Sequence, residues 1–251
     1  MFKGFYNLTS GMLTQQRNLN VVANNLTNIS TSGFKSSRYI SGTFDEVMYS
    51  RVGNKDKTYE EIGSQSYIRA TSEVVTDYTQ GALEPTGINL DFAILGEGFF
   101  GIRNDAGETV YTRSGSFSLD NEGYLCYSGF GRVLDRNNQE IYLGTDKIRG
   151  DAYGNIFREG EGDVILARLG VFTFDDTAEL EYNEEGFFSG AEGQAVATPK
   201  IFWGYLERSN VDMVSQMTEM LSSQRAFQSA AQVSRIYDNL MNKAANDIGR
   251  L

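Results

Sequence analysis

Both ends of the chain carry the same long hydrophobic rhythm, and that rhythm limits the folds open to it. Phe5, Leu8, Met12, Gln15, Leu19, Val22, Leu26 and Ile29 follow one another at alternating spacings of three and four. Phe227, Ala230, Ser234, Tyr237, Met241, Ala244, Ile248 and Leu251 repeat the pattern at the other end. Such spacing puts all eight side chains of each series on one helical stripe, the a/d seam of a coiled coil. The blander alternative, an amphipathic helix lying on its own domain, needs no such sustained register. The first helix is expected to stop near Ser30, Thr31, Ser32 and Gly33, because glycine enters the left-handed C′ conformation freely. The second is expected to open at Ser209–Asn210–Val211–Asp212, a serine three residues before an acid. Met213, Met217, Met220, Leu221 and Gln224 are expected to prolong its apolar face in a looser register.

Between the ends the period changes. An Asn or Asp followed three residues later by Gly occurs at Asn104–Gly107, Asp120–Gly123, Asp151–Gly154 and Asn183–Gly186. That pair suits a type I turn with a following left-handed residue, the connection of an antiparallel hairpin. Aromatic and β-branched residues flank these turns, and no helical period interrupts residues 85–205. The expected fold class is therefore α+β: long N- and C-terminal helices forming a coiled coil, with an antiparallel all-β middle domain. The expected divisions are an N-terminal helix at 1–33, an extended linker region at 34–84, a β domain at 85–205 and a C-terminal helix at 206–251.

Charge follows the same divisions. The formal net charge is −11, yet the first 44 residues hold no acid and four basic side chains. The whole acidic excess lies in the middle. A solvated middle and weakly charged ends suit ends that make contacts. The C-terminal helix carries apolar or small residues on more than one face, including Val214, Met217, Leu221, Phe227, Val233 and Leu240. One partner helix cannot cover them all, so neighbouring copies of the chain are the natural source of the rest.

Several functions are excluded or disfavoured by what the chain lacks. It has no histidine, hence no Ser-His-Asp or Cys-His catalytic group and no imidazole metal site. Its one cysteine, Cys126, permits neither an internal disulfide nor a Cys-rich zinc site. The acidic balance argues against nucleic acid as partner. No run reaches the roughly 20 apolar residues of a membrane span. Gly96–Glu97–Gly98–Phe99–Phe100–Gly101 matches the dinucleotide-binding pattern G-x-G-x-x-G, but that pattern holds a pyrophosphate only where its last glycine opens a helix. A hairpin is expected here instead, so no cofactor is expected. Glu159–Asp163, Asp175–Asp176 and Glu184–Glu185 are the densest carboxylate groups, and all lie beside turn residues. A carboxylate-dependent peptidoglycan hydrolase would need two of them across one groove.

Three blocks resemble the flagellar rod and hook proteins of bacteria, and the rod subunits most closely. Ala23–Asn24–Asn25–Leu26–Thr27–Asn28 with Thr31–Ser32–Gly33–Phe34–Lys35 resembles the N-terminal signature of that family. Gly96–Glu97–Gly98–Phe99–Phe100 with Tyr111–Thr112–Arg113–Ser114–Gly115–Ser116–Phe117 resembles its central motif. Leu206–Glu207–Arg208–Ser209–Asn210–Val211–Asp212 with Gln224–Arg225–Ala226–Phe227 resembles its C-terminal motif. Thr27 and Gln216 stand where the family often has Ala and an acid. The resemblance implies a non-enzymatic structural subunit of the basal-body rod. It further implies export by the flagellar type III apparatus, polymerisation through the terminal helices, and transmission of torque to the hook from a position spanning the periplasm or cell wall. The expected partners are copies of the chain, other rod and hook subunits, and the export apparatus. The expected contacts are Leu8, Met12, Leu19, Val22, Leu26, Ile29, Phe227, Tyr237, Met241, Ile248 and Leu251. Asn24, Asn25, Asn28, Gly33, Phe34, Asn210 and Asp212 are the motif positions. A surface or adhesin protein could share the β middle but would not need both seams.

Overall fold

Antiparallel pairing and one pair of terminal helices organise the protein. The computed structural model describes residues 2–43, 46–52, 59–66, 69–104, 106–160, 164–174, 180–182, 186–190 and 193–248. They fall into two compact units. The first comprises residues 1–27, 37–77 and 212–251, the second residues 28–36 and 78–211.

In the first unit, helix α1 spans Phe2–Thr27 and helix α2 spans Met213–Ile248. At 1.5 Å per residue they are about 39 and 54 Å long. They run antiparallel. Asn25, near the end of α1, bonds Gln216 near the start of α2, and the backbone of Gly4 lies against the ring of Tyr237. α1 stops at Thr27, short of the expected Ser30–Gly33. The seam spacing persists to Ile29, but that residue already lies in a turn, where the Thr31 N–H donates to the Asn28 carbonyl. α2 also opens later than expected. Its cap is Asp212, whose carboxylate accepts the N–H groups of Val214 and Ser215 at 3.2 and 3.3 Å. Ser209 instead closes a small turn by accepting the Val211 N–H. An ionised cap satisfies two otherwise orphaned donors and complements the positive end of the helix dipole.

The described residues between 37 and 76, within the expected extended linker, form two ladders. Strand β1 (Ser37–Thr43) pairs with β4 (Arg69–Thr76). Within the stretch they enclose, β2 (Glu46–Val52) pairs with β3 (Tyr59–Ser66). Much of the expected linker is thus hydrogen-bonded strand.

The second unit is β structure, and every strand pairing among its described residues is antiparallel. Its largest sheet is built on the hairpin of Phe99–Asn104 with Thr109–Thr112. The glycine-rich stretch before it therefore runs into a strand, not a helix. At the expected turns, Gly107, Gly123, Gly154 and Gly186 all have positive φ, and the first three close back onto Asn104, Asp120 and Asp151. Asn183, which opens the fourth, lies outside the described residues. A further turn of the same form runs from Asp135 to Asn138, with Asn138 in the left-handed position at φ 59°. Asn tolerates that conformation, and the search for glycine passes over it.

Aliphatic and aromatic side chains fill the interior. Phe92, Ile94, Phe100, Leu125, Val133, Ile141, Leu143, Ile148, Ile156, Leu169 and Ile201 form one buried cluster. Phe99, Tyr111, Phe172, Leu180 and Phe188 form a second. Cys126 sits half-buried in the strand Leu125–Tyr127.

Candidate functional site

Two features concentrate the residues singled out in the sequence: the α1–α2 pair in the first unit and a buried ionic knot in the second.

The knot is centred on Glu207, which is 1% exposed. Its Oε1 accepts from Lys35 Nζ at 2.7 Å and from the Gly81 N–H at 2.9 Å. Its Oε2 accepts from Arg113 Nε at 2.7 Å. Lys35 Nζ also donates to the Thr79 carbonyl at 2.7 Å, and the two terminal nitrogens of Arg113 donate to the carbonyls of Gly96 and Gly98. Two cations thus meet one carboxylate, and the excess positive charge is spread over backbone carbonyls. A buried charge persists only when paired and hydrogen-bonded in this way.

The surrounding chain is fastened at the same place. The Gly33 N–H donates to the Glu207 carbonyl at 2.7 Å, and Ser32 and Ser114 share a hydroxyl contact at 2.7 Å. Gly33 has φ 69°, and a Cβ there would lie 2.3 Å from the Ser114 nitrogen. Both the backbone conformation and the close approach demand glycine. Asn210 Oδ1 accepts the Ser36 N–H at 2.7 Å, while its Nδ2 donates to Thr79. Phe34 is buried, and Asn28 accepts a bond from the Thr31 hydroxyl.

A cleft of about 600 Å³ adjoins the knot, lined by Lys35, Tyr78, Phe99, Arg113 and Phe174 among others. Burial raises the pKa of the Tyr78 phenol above its ordinary value. The Glu207 carboxylate already holds three donors, so the arrangement is a fastener and carries no proton-transfer geometry of its own. Among the described residues, no group of three or more His, Cys, Asp or Glu side chains is placed to hold a metal ion. Glu161–Asp163, Asp175–Asp176 and Glu184–Glu185 lie outside the described residues. No helix among those described is long and apolar enough to cross a membrane.

The helix pair distributes the seam residues unevenly. Val22 is buried at 2% exposure, whereas Leu8, Met12, Leu19 and Leu26 of α1 and Phe227, Tyr237 and Met241 of α2 are half-buried. Ile29 is half-buried in its turn, within the second unit. Ile248 ends α2, and Leu251 lies outside the described residues. Asn24 is half-buried. Asn25 is buried and spans three groups: it donates to Gln216 Oε1 and to the Ser37 carbonyl, and it accepts the Ser37 N–H.

Towards the start of α2 the expected apolar face is turned the wrong way. Gln216, Glu219 and Ser223 face α1, where Asn18 donates to both Glu219 and Ser223. Met213, Met217, Met220, Leu221 and Gln224 are exposed. The correct inner stripe, Gln216–Glu219–Ser223–Phe227, keeps helical spacing but is polar for its first three members. A search for apolar periodicity passes over it.

The three participants in the knot come from far-apart blocks, and known proteins match in the same three places. The family description "Flagella basal body rod protein" matches residues 5–35, which include Lys35. "Flagellar hook protein FlgE/F/G D1 domain" matches residues 93–144, which include Arg113. "Flagellar basal body rod FlgEFG protein C-terminal" matches residues 204–247, which include Glu207. The flagellar basal-body rod protein FlgG of Bacillus subtilis is 31% identical over 271 residues, covering 98% of this chain and 99% of the relative. The chain belongs to the flagellar basal-body rod protein family. FlgG of Buchnera aphidicola subsp. Acyrthosiphon pisum is 30% identical over 257 residues, covering 93% of this chain and 95% of the relative. FlgF of Caulobacter vibrioides is 28% identical over 245 residues, covering 96% of each. As a member of this rod family the chain is a structural component of the flagellar basal body. Lys35, Arg113 and Glu207 were visible in the sequence as motif letters. Nothing in their spacing announced that they meet.

Proposed function

We propose that this rod subunit polymerises through α1 and α2 into a tubular shaft that transmits torque to the hook, without turnover chemistry. Its partners are copies of itself and other rod and hook subunits, reached after passage through the flagellar export apparatus. Residues 1–33 and 206–251 serve as assembly ends, 34–84 as the connecting region and 85–205 as the β domain.

One observation carries this proposal. The helices drawn from the two chain ends pair with each other yet leave most of their seam half-buried. Leu8, Met12, Leu19, Leu26, Phe227, Tyr237 and Met241 keep surface that a further helix would cover in a coiled-coil assembly. Fully burying one such side chain stabilises by about 1.5–3 kcal/mol. Ile248 and Leu251 extend the same seam in sequence. The family match supports neither the surface-adhesin alternative nor the peptidoglycan-hydrolase one.

Removing residues 2–27 together with residues 213–248 from the chromosomal copy tests the proposal. Cells are expected to lose rods in electron micrographs and to stop swimming. Motility that survives the double truncation defeats it.

A further inference from the structure

The chain passes between the two units four times, after residues 27, 36, 77 and 211. A lone crossing is a swivel, because every residue adds two soft dihedral angles between rigid peptide planes. The second crossing is not left free to turn. Its residues Ser36 and Ser37 are each gripped by an asparagine of their own unit.

In the second unit, Asn210 Oδ1 accepts the Ser36 N–H at 2.7 Å. In the first, Asn25 Oδ1 accepts the Ser37 N–H at 2.9 Å, and its Nδ2 donates to the Ser37 carbonyl at 2.7 Å. The Ser36 N–H, the Ser37 N–H and the Ser37 carbonyl belong to three consecutive peptide planes. With all three held, the dihedrals of Ser36 and Ser37 lose their freedom.

The same two side chains reach the other crossings. Asn210 stands just before the last one and donates to Thr79, just after the third. Asn25 stands just before the first and donates to Gln216, a few residues after the last, at 3.1 Å. On the first unit's side, the third crossing is tied to the second by the pairing of Ser37 with Thr76. On the second unit's side, the ionic knot binds Gly33, Lys35, Thr79, Gly81 and Glu207 to one another.

An amide suits this task because it offers an acceptor and a donor without a charge. Asn25 is 1% exposed in a helix that alanine would favour more, so what its amide adds is these bonds. We propose that Asn25 and Asn210 are clips that turn the crossings into a stiff coupling, so that the β domain rotates with the assembly ends instead of swivelling on them. The proposal rests on the rod-subunit function above and names the residues that pin the chain where load passes. They are positioning residues: neither touches a neighbouring subunit for this purpose.

Asn25→Ala, Asn210→Ala and the double variant test it, each in the chromosomal copy. Rods are expected in normal number. Hydrogen exchange by mass spectrometry of isolated basal bodies is expected to speed up about tenfold at Ser37 in the first variant and at Ser36 in the second. Averaged electron cryomicroscopy images of double-variant rods are expected to keep the helices sharp while the density of the β domain smears. The purified double variant is expected to keep the native circular dichroism, which separates a loosened coupling from an unfolded unit. Unchanged exchange at both serines overturns the clips. Faster exchange with a β domain as sharp as the native one overturns their role in the coupling. Failure of both single variants to form rods assigns the asparagines to folding or assembly and overturns it too. In each of these cases the rod-subunit function stands. Cells that swim without the chain defeat that function and the proposal with it.

Discussion

The two units solve the problem of burial in different ways. The β unit completes its interior within one chain: Phe100, Ile102, Leu125, Val133, Leu134 and Ile156 have essentially no exposed surface, and the buried Lys35, Arg113 and Glu207 are paired with one another. The helical unit does not. Of its seam, Val22 is buried, Leu8, Met12, Leu19, Leu26, Phe227, Tyr237 and Met241 stop half-way and Phe5 is exposed, while Met213, Val214 and Leu221 face outward. A unit that finishes its own core withstands solvent alone. The helical unit leaves its seam open at the place where the polymerisation proposed above would bring in other chains.

The sharpest way to break that comparison is at Glu207. Glu207→Gln removes the carboxylate that Lys35 and Arg113 share and leaves two buried cations without its charge. The expected cost is about 3–5 kcal/mol. The half-buried Trp203, the chain's single tryptophan, donates from Nε1 to the Asn89 carbonyl in the same unit and reports unfolding in urea. An unchanged midpoint would show that the knot is not a fastener.

In the helical unit single changes are expected to cost less, because most sites there are incompletely packed. Val22→Ala removes two methyl equivalents from its best-buried seam position, for about 1.5 kcal/mol. Helical circular dichroism during thermal melting measures it, and a loss as large as that of Glu207→Gln would erase the contrast between the units. Asp212→Ala deletes the cap of α2 at a cost of about 1 kcal/mol. Hydrogen exchange is expected to accelerate at Val214 and Ser215, whose N–H groups lose their acceptor.

The smallest expected effect concerns acid. The backbone N–H of Tyr124, followed by that of Glu122 and by Arg132, holds the Asp120 carboxyl below its ordinary 3.8. A depressed carboxylate stabilises fully above its unfolded value and loses that contribution as pH falls through its folded value. Asp120→Asn is therefore expected to flatten the stability profile below about pH 4. Titration of urea midpoints between pH 5 and 2 checks this, and an identical slope in the variant would rule it out.

What could be foreseen from the chain alone was periodic or local. The terminal seams foretold two helices because a 3–4 spacing is a geometric statement about one face. The Asn/Asp-to-Gly turns foretold antiparallel hairpins because a left-handed residue is a local demand of the backbone. The overreach of α1 to Gly33 and the early start assigned to α2 came from signals that compete over a few residues, where Asp212 outdid Ser209 as cap. The ladders between residues 37 and 76 were hidden because a polar stretch rich in Ser, Thr and Gly shows little of the apolar alternation that marks a strand. Only tertiary structure could decide which side of α2 faces α1, since Gln216, Glu219 and Ser223 win that side by hydrogen-bonding Asn25 and Asn18, against the apolar rule. Only tertiary structure could bring Lys35, Arg113 and Glu207 within 2.7 Å contacts, because burial of a charge depends on partners that are distant in sequence and adjacent in space.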